Sequence, residues 1–176
     1  PEGLERIKPF ADFRGDDWYR KPLEAGRPVW TPIYNWVDAP DVMAMGAGVA
    51  IHRKGVLVGV AGVDIFLANI SDFLRSLPIS RAGEVYIVEA DGKLVADTSE
   101  SLPFTIVAGR GVRHRAQDSA NSVIRDTARA LVSGHGGFQA LDRPQQLHVA
   151  LHSGEALVRI EPYRDSSGLD WRIVVV

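Results

Sequence analysis

The 176-residue sequence contains no cysteine. Disulfide bridges, thiolate catalysis and cysteine-ligated zinc are therefore excluded. The sequence also lacks any apolar run that approaches the roughly 20 residues of a membrane-spanning helix. Its longest uncharged apolar runs are residues 42–51 and 55–63. Both contain glycines and β-branched residues, and the β-branched residues favour strands over a membrane helix. The sequence begins Pro-Glu-Gly, without an initiator methionine or a signal peptide, and we interpret it as part of a longer protein.

A large excess of charge of one sign is also absent, since 20 basic residues face 22 acidic ones for a net charge of −2. The simplest electrostatic basis for nucleic-acid binding, a chain-wide positive field, is therefore missing, and we expect no nucleic-acid partner. Lysine is scarce, with 4 residues against 16 arginines, which favours planar bidentate contacts without indicating a function. The apolar fraction of 45% and the charged fraction of 24% are those of a globular protein.

Hydrophobic spacing predicts groups of strands separated by helices. Helices are expected over residues 17–25, 66–77 and 117–133; Asp64 is expected to cap the second, Pro78 to stop it and Gly134 to end the third. Residues 98–116 are expected to form a loop. This order predicts an α+β fold with antiparallel sheets. The predicted strands are residues 28–36, 42–52, 56–63, 84–90, 93–97, 137–141, 145–152, 156–163 and 171–176.

No catalytic, metal or cofactor motif is found. Residues 46–48 read Gly-Ala-Gly but lie within an apolar strand, without the helix start that a dinucleotide fingerprint needs. The glycines of residues 133–137 are more typical of a helix end than of an anion nest. On one strand, His148 and His152 would stand about 13 Å apart, too far to share a zinc ion. We therefore expect no enzymatic activity, no metal and no cofactor.

Aromatic and acidic residues are concentrated in the first third of the chain. Three of the four tryptophans and two of the four tyrosines fall within the 19 positions 18–36. Ring faces and carboxylates both attract positive charge, so the cluster suits a small cationic ligand. The alternative is a core of large aromatic side chains with the acids in solvent. The cluster consists of Asp16, Asp17, Trp18, Tyr19, Trp30, Tyr34 and Trp36.

Several segments, in order, resemble double Cache (dCache) sensor domains. Residues 12–19, Asp-Phe-Arg-Gly-Asp-Asp-Trp-Tyr, are similar to the start of the family's ligand-binding segment. Residues 25–34, Ala-Gly-Arg-Pro-Val-Trp-Thr-Pro-Ile-Tyr, follow it closely. Residues 55–65 resemble the family strand that ends in Val-Asp-Ile. Residues 83–96 resemble the opening hairpin of the second module, and residues 168–176 its closing strand.

The resemblance implies a bacterial, periplasmic or extracellular sensor module with two PAS-like (PDC) units. Such modules bind small molecules, usually in the membrane-distal unit, and belong to membrane-anchored chemoreceptors, histidine kinases, cyclases and diguanylate cyclases. We expect residues 1–80 to form the distal unit and residues 81–176 the membrane-proximal unit. The distal unit is expected to be incomplete, because the family's N-terminal helix and first strands precede the matching segments. That helix is also the family's usual dimer contact, through which the parent protein could form a homodimer.

The resemblance also implies a ligand site. Members that bind amino acids carry, at the position of Asp16, an Arg that clamps the carboxylate, and an Asp at the position of Trp36. The reversed charge at Asp16 disfavours a carboxylate and favours a cation. We therefore expect an amine or another cationic ligand, with Asp64 as its counter-ion. The expected site residues are Asp16, Trp18, Tyr19, Tyr34, Trp36 and Asp64.

Three alternatives stay open at this point. The chain could be a structural or dimerisation module without a small ligand. It could also be a small hydrolase or lyase that uses Asp16 and Asp64. In the third, Asp16 faces solvent and the incomplete distal unit holds no ligand.

Overall fold

The computed structural model describes residues 12–36, 39–80, 83–152 and 154–176. Two compact units can be distinguished within it. The first comprises the described residues up to Pro32 together with Gly46–Val63, and the second comprises Ile33–Met45 together with Asp64–Val176. The assignment of residues 1–80 and 81–176 to two PAS-like domains groups the chain differently and stays a prediction.

The described residues form three α-helices and eleven strands. The helices are α1 (Asp17–Ala25), α2 (Leu67–Ser76) and α3 (Ser122–His135). Single 3-10 turns occur at Ala116–Asp118 and Phe138–Ala140. The strand pairings given below are all antiparallel, so the predicted α+β class is confirmed. The strands are β1 (Val29–Trp30), β2 (Tyr34–Asn35), β3 (Met43–Arg53), β4 (Val56–Phe66), β5 (Val85–Glu89), β6 (Leu94–Asp97), β7 (Phe104–Val107), β8 (Arg110–Arg113), β9 (Gln145–Leu151), β10 (Gly154–Arg164) and β11 (Asp170–Val175).

In the first unit, α1 lies directly on the strand that carries the Gly-Ala-Gly sequence. A Cβ atom at Gly48 would stand 2.6 Å from Pro22 Cγ and 2.7 Å from the Trp18 carbonyl oxygen. Glycine at this position therefore permits the close approach of helix and strand. The same strand pairs with β1, with Val29 opposite Gly48. Gly48 thus has a packing role beneath α1.

Strand β4 leaves much of its apolar surface uncovered in the structure. Val56, Val58 and Val63 are 68%, 64% and 59% exposed. The turn that joins β3 to β4 has positive φ angles at Lys54 and Gly55, as a tight hairpin requires. An exposed β-branched strand of this kind is typical of a surface that another element covers.

The second unit is built on a five-stranded sheet with the order β6-β5-β11-β10-β9. The last strand, β11, therefore lies between β5 and β10. Helix α3 packs on this sheet through buried Ile124, Ala128 and Leu131. The helix begins after Asn121, whose side-chain oxygen accepts hydrogen bonds from the amides of residues 123 and 124.

Helix α2 packs against a second core formed with β5 and β6. Its buried residues are Leu67, Ser71 and Leu74, which share one helix face. The hydroxyl oxygen of Ser71 accepts a hydrogen bond from the Asp97 amide at 3.3 Å, and Arg75 donates to the Ser99 carbonyl at 2.8 Å. Polar bonds as well as apolar burial therefore fix α2 to β6 and the turn that follows.

The end of the described chain is tied to the start of β5. The Glu84 amide donates to the Val176 carbonyl at 3.2 Å, and the Val176 amide donates back to the Glu84 carbonyl at 2.9 Å. The Glu84 side chain accepts hydrogen bonds from Thr98 Oγ1 and from Asn121 Nδ2. Glu84 thus connects the terminal residue, the turn after β6 and the start of α3.

Some predicted elements differ from the structure. Asp64 does not cap α2, because β4 continues through Phe66 and Phe66 occupies the N-cap position. The third helix begins at Ser122 and ends before Gly136, which adopts the left-handed conformation in place of Gly134. Residues 98–116 contain the β7–β8 hairpin instead of a loop, and residues 137–141 contain the 3-10 turn Phe138–Ala140 instead of a strand.

The predicted strand over residues 28–36 is divided into β1 and β2. Each piece is two residues long and pairs with β3. The intervening residues hold Thr31, whose hydroxyl oxygen accepts a hydrogen bond from the Gly46 amide at 2.9 Å. Pro32 lies in this break, where its lack of an amide hydrogen removes no ladder hydrogen bond.

Replacement of Asp97 by asparagine tests the cost of a buried carboxylate. Burial raises the pKa of Asp97; hydrogen bonds from Ser99 oppose this rise, and the charge of Glu84 adds to it. Because the folded-state pKa exceeds that of the unfolded chain, this contribution to stability is complete below about pH 4 and is lost as pH rises through the folded-state pKa. Asp97→Asn keeps an acceptor for Ser99, so its advantage over wild type in free energy of unfolding should grow from about pH 4 to about pH 7.

Urea unfolding of both proteins across this pH range measures that difference. Asp41→Asn is the matched control, because Asp41 is exposed. The control should differ from wild type by a nearly constant free energy. A constant difference for Asp97→Asn as well would contradict the prediction.

Candidate ligand site

The second unit contains a direct contact between two of the expected site residues. The Tyr34 hydroxyl donates a hydrogen bond to Asp64 Oδ1. Tyr34 lies on β2 and Asp64 near the end of β4, and Asp64 is exposed to solvent. The second carboxylate oxygen makes no hydrogen bond to the described residues in the structure. The pair thus presents a negative group that is oriented by a phenol.

Two further rings adjoin this pair. Trp36 stacks on Tyr34 with ring centroids 6.3 Å apart and an interplanar angle of 23°. Phe66 meets Trp36 edge to face at 5.2 Å. Because alternate residues of an extended chain point to the same side, Tyr34 of β2 shares a side with Trp36, which follows the strand. In the same way, Asp64 shares a side of β4 with Phe66. We call these four residues the aromatic–carboxylate group.

The Tyr34 phenol is held in its protonated form. Burial raises its pKa above the ordinary value, and the hydrogen bond and negative charge of Asp64 raise it further. The phenol is therefore a stable donor to Asp64 at physiological pH. Its ring stays neutral, and the electron-rich face of a neutral ring still attracts a cation.

The first unit contains a separate aromatic cluster at the start of α1. Phe13 lies 5.1 Å from Trp18 and 5.8 Å from Tyr19, measured between ring centroids. Trp18 and Tyr19 meet edge to face at 5.7 Å. All three side chains are half-buried, so each packs on its neighbours and keeps part of its surface in solvent.

Asp16 occupies the N-cap position of α1 and is exposed. Its side chain makes no capping hydrogen bond, while its carbonyl accepts the Arg20 amide at 2.9 Å. The neighbouring Asp17 pairs with Arg20 at 3.0 Å and with Lys21 at 3.5 Å. Acidic groups at a helix start are favoured by the helix dipole, so the placement of Asp16 has a structural explanation independent of any ligand.

The expected site residues thus divide between the two units. Tyr34, Trp36 and Asp64 come together in the second unit, and Trp18 and Tyr19 come together in the first. The assignment of these residues to a ligand site stays a prediction.

Three residues that were not expected in the site lie beside the expected ones. Phe66 and Phe13 complete the two ring clusters. Asn35 lies between Tyr34 and Trp36 and bonds to a distant hairpin, as described below. The sequence does contain a signal for Phe66. It follows Asp64 by two residues, as Trp36 follows Tyr34, and residues two apart on a strand point to the same face.

The aromatic–carboxylate group offers ring faces, one carboxylate and a phenol donor. This set suits a cation or an amine. Within the part of the chain that the structure describes, no group of three or more His, Asp or Glu side chains is arranged to hold a metal ion. None of the described helices has the length and apolar character of a membrane span.

Parts of the chain are similar in sequence to known chemotaxis proteins. Residues 4–72 match the model of the first PDC sensor domain of methyl-accepting chemotaxis protein-like proteins. The matched segment contains every residue of the aromatic–carboxylate group. The methyl-accepting chemotaxis protein PscA of Pseudomonas syringae pv. tomato is 32% identical over 92 residues, which are 52% of this chain and 14% of PscA.

Two solved structures share the fold at low sequence identity. The ligand-binding domain of the Pseudomonas aeruginosa amino acid chemoreceptor PctC, in complex with GABA, is 18% identical with a TM-score of 0.61, over 99% of this chain and 66% of that one. The chain has a Cache-type (PDC) sensor fold. The corresponding domain of the Campylobacter jejuni chemoreceptor Tlp3, in complex with L-norvaline, is 16% identical with a TM-score of 0.60, over 94% of this chain and 53% of that one.

The predicted resemblance to Cache sensor domains is therefore confirmed. The chain spans about one seventh of the length of the curated chemoreceptors that it matches, at 14% for each. Sensor domains of this type are the extracytoplasmic, ligand-binding parts of membrane receptors.

Replacement of Asp64 by asparagine should lower the pKa of Tyr34. The substitution removes the negative charge and weakens the hydrogen bond that add to the effect of burial. Titration of tyrosine ring carbons by NMR up to about pH 12 measures the change as an earlier onset of Tyr34 ionisation in the variant, with Tyr34 assigned through Tyr34→Phe. Tyr86 is the internal control, because burial alone raises its pKa. An unchanged Tyr34 titration in Asp64→Asn would show that the pair is not formed in solution.

Proposed function

We propose that this chain is an extracytoplasmic sensor module that binds a small molecule and relays the signal to a transmembrane signalling protein of the chemoreceptor kind. The observation that carries the proposal is the exposed Asp64 carboxylate, held by Tyr34 and flanked by the stacked ring of Trp36. Every group needed to attract a small cation is thus present within one compact unit. The family match over residues 4–72 and the Cache-type fold supply the sensory context.

The proposed ligand is an amine or another cation without a carboxylate. A cation over an exposed ring gains about 0.5–1 kcal/mol, and about 2 kcal/mol where water is excluded. Contact with a carboxylate adds roughly 1 kcal/mol in water and up to about 4 kcal/mol near a protein surface. Because Asp64 is exposed, the lower value applies in the absence of ligand. With these lower values the two terms sum to about 2 kcal/mol, which corresponds to weak binding, at roughly tens of millimolar before any further contacts are counted.

Asp16 supports the choice of a ligand without a carboxylate. By the family resemblance it stands where members that bind amino acids carry a clamping arginine. The complexes of PctC with GABA and of Tlp3 with L-norvaline involve ligands that contain both an amino group and a carboxylate. The ligand proposed for this chain has the amino group but no carboxylate, because Asp16 places a negative charge at the clamp position.

Calorimetry with matched ligand pairs tests the proposed charge preference. Suitable pairs are L-arginine with agmatine and L-leucine with 3-methylbutylamine, which differ only in the carboxylate. The amine of at least one pair should bind about fivefold or more tightly than its amino acid, because a like charge at contact costs at least roughly 1 kcal/mol. Tighter binding of both amino acids would overturn the proposed ligand class.

Two neutral variants assign the charge preference to its residues. Asp64→Asn should weaken the binding of the amine about fivefold or more, since it removes the counter-ion. Asp16→Asn tests separately whether the negative charge at the clamp position contributes to the preference for the amine. Asp72→Asn, on the exposed face of α2, is the matched control and should leave the affinity unchanged. Equal affinity for the amine in wild type, Asp64→Asn and Asp16→Asn would reject the electrostatic assignment.

The signal is proposed to pass through α2, which begins three residues after Asp64. Ligand contact at Asp64 and at the ring of Phe66 would restrict the start of this helix. Hydrogen exchange of residues 64–80 should therefore slow in the presence of saturating amine. Exchange in β9, which carries none of the group, serves as the reference, and unchanged protection throughout residues 64–80 would exclude this route.

The alternatives predict different results with the same reagents. A structural or dimerisation module would show no thermal shift with any of the four probes, whereas a ligand at 100 times its dissociation constant adds about 2.7 kcal/mol. We propose that the module is not an enzyme, so the bound amine should be recovered unchanged. A hydrolase or lyase that uses Asp16 and Asp64 would convert it.

A further inference from the structure

Asn35 occupies the side of β2 opposite the aromatic pair. Tyr34 and Trp36 point to one side and stack, so the residue between them points to the other, as alternate residues of an extended strand do. Asn35 Nδ2 donates a hydrogen bond to the Gly111 carbonyl at 3.3 Å, and the Gly111 amide donates to Asn35 Oδ1 at 2.6 Å. One side chain thus exchanges two hydrogen bonds with one residue, as paired residues of neighbouring strands do.

Gly111 lies on β8, in the hairpin formed with β7. Its amide also donates to the Pro40 carbonyl at 3.1 Å. A Cβ atom at residue 111 would stand 2.8 Å from Met43 Cγ and 3.0 Å from Asn35 Oδ1. Met43 is only 5% exposed and pairs with Asn35 across β2 and β3, so it has little room to move. The hairpin, β2 and β3 therefore meet at a point where only glycine fits.

Strand β2 depends strongly on this contact. It is two residues long and pairs with β3 alone among the described strands, through Tyr34 opposite Ala44 and Asn35 opposite Met43. A strand this short has few ladder hydrogen bonds to fix its orientation. The Asn35 amide, which is partly buried, supplies two more from the other side.

We propose that Asn35 is a positioning residue for the stacked Tyr34–Trp36 pair and that Gly111 couples this pair to the β7–β8 hairpin. The positioning of the rings stands on the hydrogen bonds described above, and its effect on a ligand rests on the proposed function. Because coupling between two sites is reciprocal, a ligand that orders the pair also orders the hairpin. A substitution that disorders the hairpin should then weaken ligand binding by the same free energy by which the bound ligand stabilises the hairpin contact.

Fluorine NMR of the full chain labelled with 5-fluorotryptophan tests the positioning without any ligand. The four tryptophan resonances are assigned by single Trp→Phe variants. Asn35→Ala and Gly111→Ala should each shift or broaden the Trp36 resonance and leave the Trp171 resonance in place, which also reports an intact five-stranded sheet. The double variant should change the Trp36 resonance by less than the sum of the two single effects, because both substitutions disrupt the same Asn35–Gly111 contact.

The matched control is Thr105→Ala, an exposed position in the same hairpin, which should leave Trp36 unchanged. If either alanine variant loses the Trp171 resonance, Asn35→Asp replaces it, since this near-isosteric change keeps the acceptor for the Gly111 amide and removes the donor. Asn35→Asp should shift the Trp36 resonance in the same direction as Asn35→Ala, by a smaller amount. An unchanged Trp36 resonance in a folded Asn35 or Gly111 variant, or additive effects in the double variant, would overturn the proposal.

A second measurement separates this proposal from the proposed function. Agmatine affinity should fall about fivefold or more in Asn35→Ala and in Gly111→Ala, and stay unchanged in Thr105→Ala. If agmatine and 3-methylbutylamine do not bind wild type, the proposed ligand class fails while the Trp36 resonance still decides the positioning role. If agmatine binds and both variants keep wild-type affinity, the coupling to the ligand is wrong.

Discussion

The burial of one face of α2 is the constraint on which the rest of the second unit depends. Leu67 and Leu74 pack into a core that also contains Met43 from β3 and Val95 from β6. Since α2 follows β4 directly, this packing fixes where β4 ends and therefore where Asp64 and Phe66 lie. Met43 in turn leaves no space for a side chain at residue 111. One apolar core thus sets both the aromatic–carboxylate group and the contact behind it.

The aromatic–carboxylate group combines elements that are weak individually. An exposed carboxylate attracts a cation only modestly, because water screens it. A hydrogen bond from a half-buried phenol orients that carboxylate, and a stacked indole supplies a face at its side. The orientation costs no entropy when a ligand arrives, since protein contacts already provide it. Such preorganisation suits a receptor that must discriminate among small, abundant molecules at modest affinity.

Local periodicity accounts for what the sequence could predict. The β3–β4 hairpin follows from two apolar runs around a Lys-Gly turn, and α2 follows from 3.6-residue spacing. The β7–β8 hairpin was missed because its strands are four residues long and its turn places Ala108, not a typical turn residue, at a positive φ. Phe138 and Leu141 are buried as their apolar character indicated, but Phe138 lies in a 3-10 turn and Leu141 directly after it, not in a strand.

The candidate site could be predicted only in part, because its contacts join residues that are far apart in the sequence. Residue type and family resemblance singled out Tyr34, Trp36 and Asp64. The hydrogen bond between Tyr34 and Asp64 joins positions 30 residues apart, and the Asn35–Gly111 contact spans 76 residues. Short-range patterns carry no information on such pairings, which follow from tertiary packing. The N-cap assigned to Asp64 was wrong for this reason, since its carboxylate bonds to Tyr34 and the strand continues past it.

The central position of β11 has a mechanical consequence. The strand is bonded on one side to β5 and on the other to β10, and Val176 is tied to Glu84 through both backbone groups. Buried Arg172 anchors it further by donating to the Phe138 carbonyl at 3.0 Å. A pull along β11 applied at Val176 would load two rows of ladder bonds in shear, whereas the same pull along an edge strand would load only one row. The sheet therefore responds to such a displacement as one stiff block.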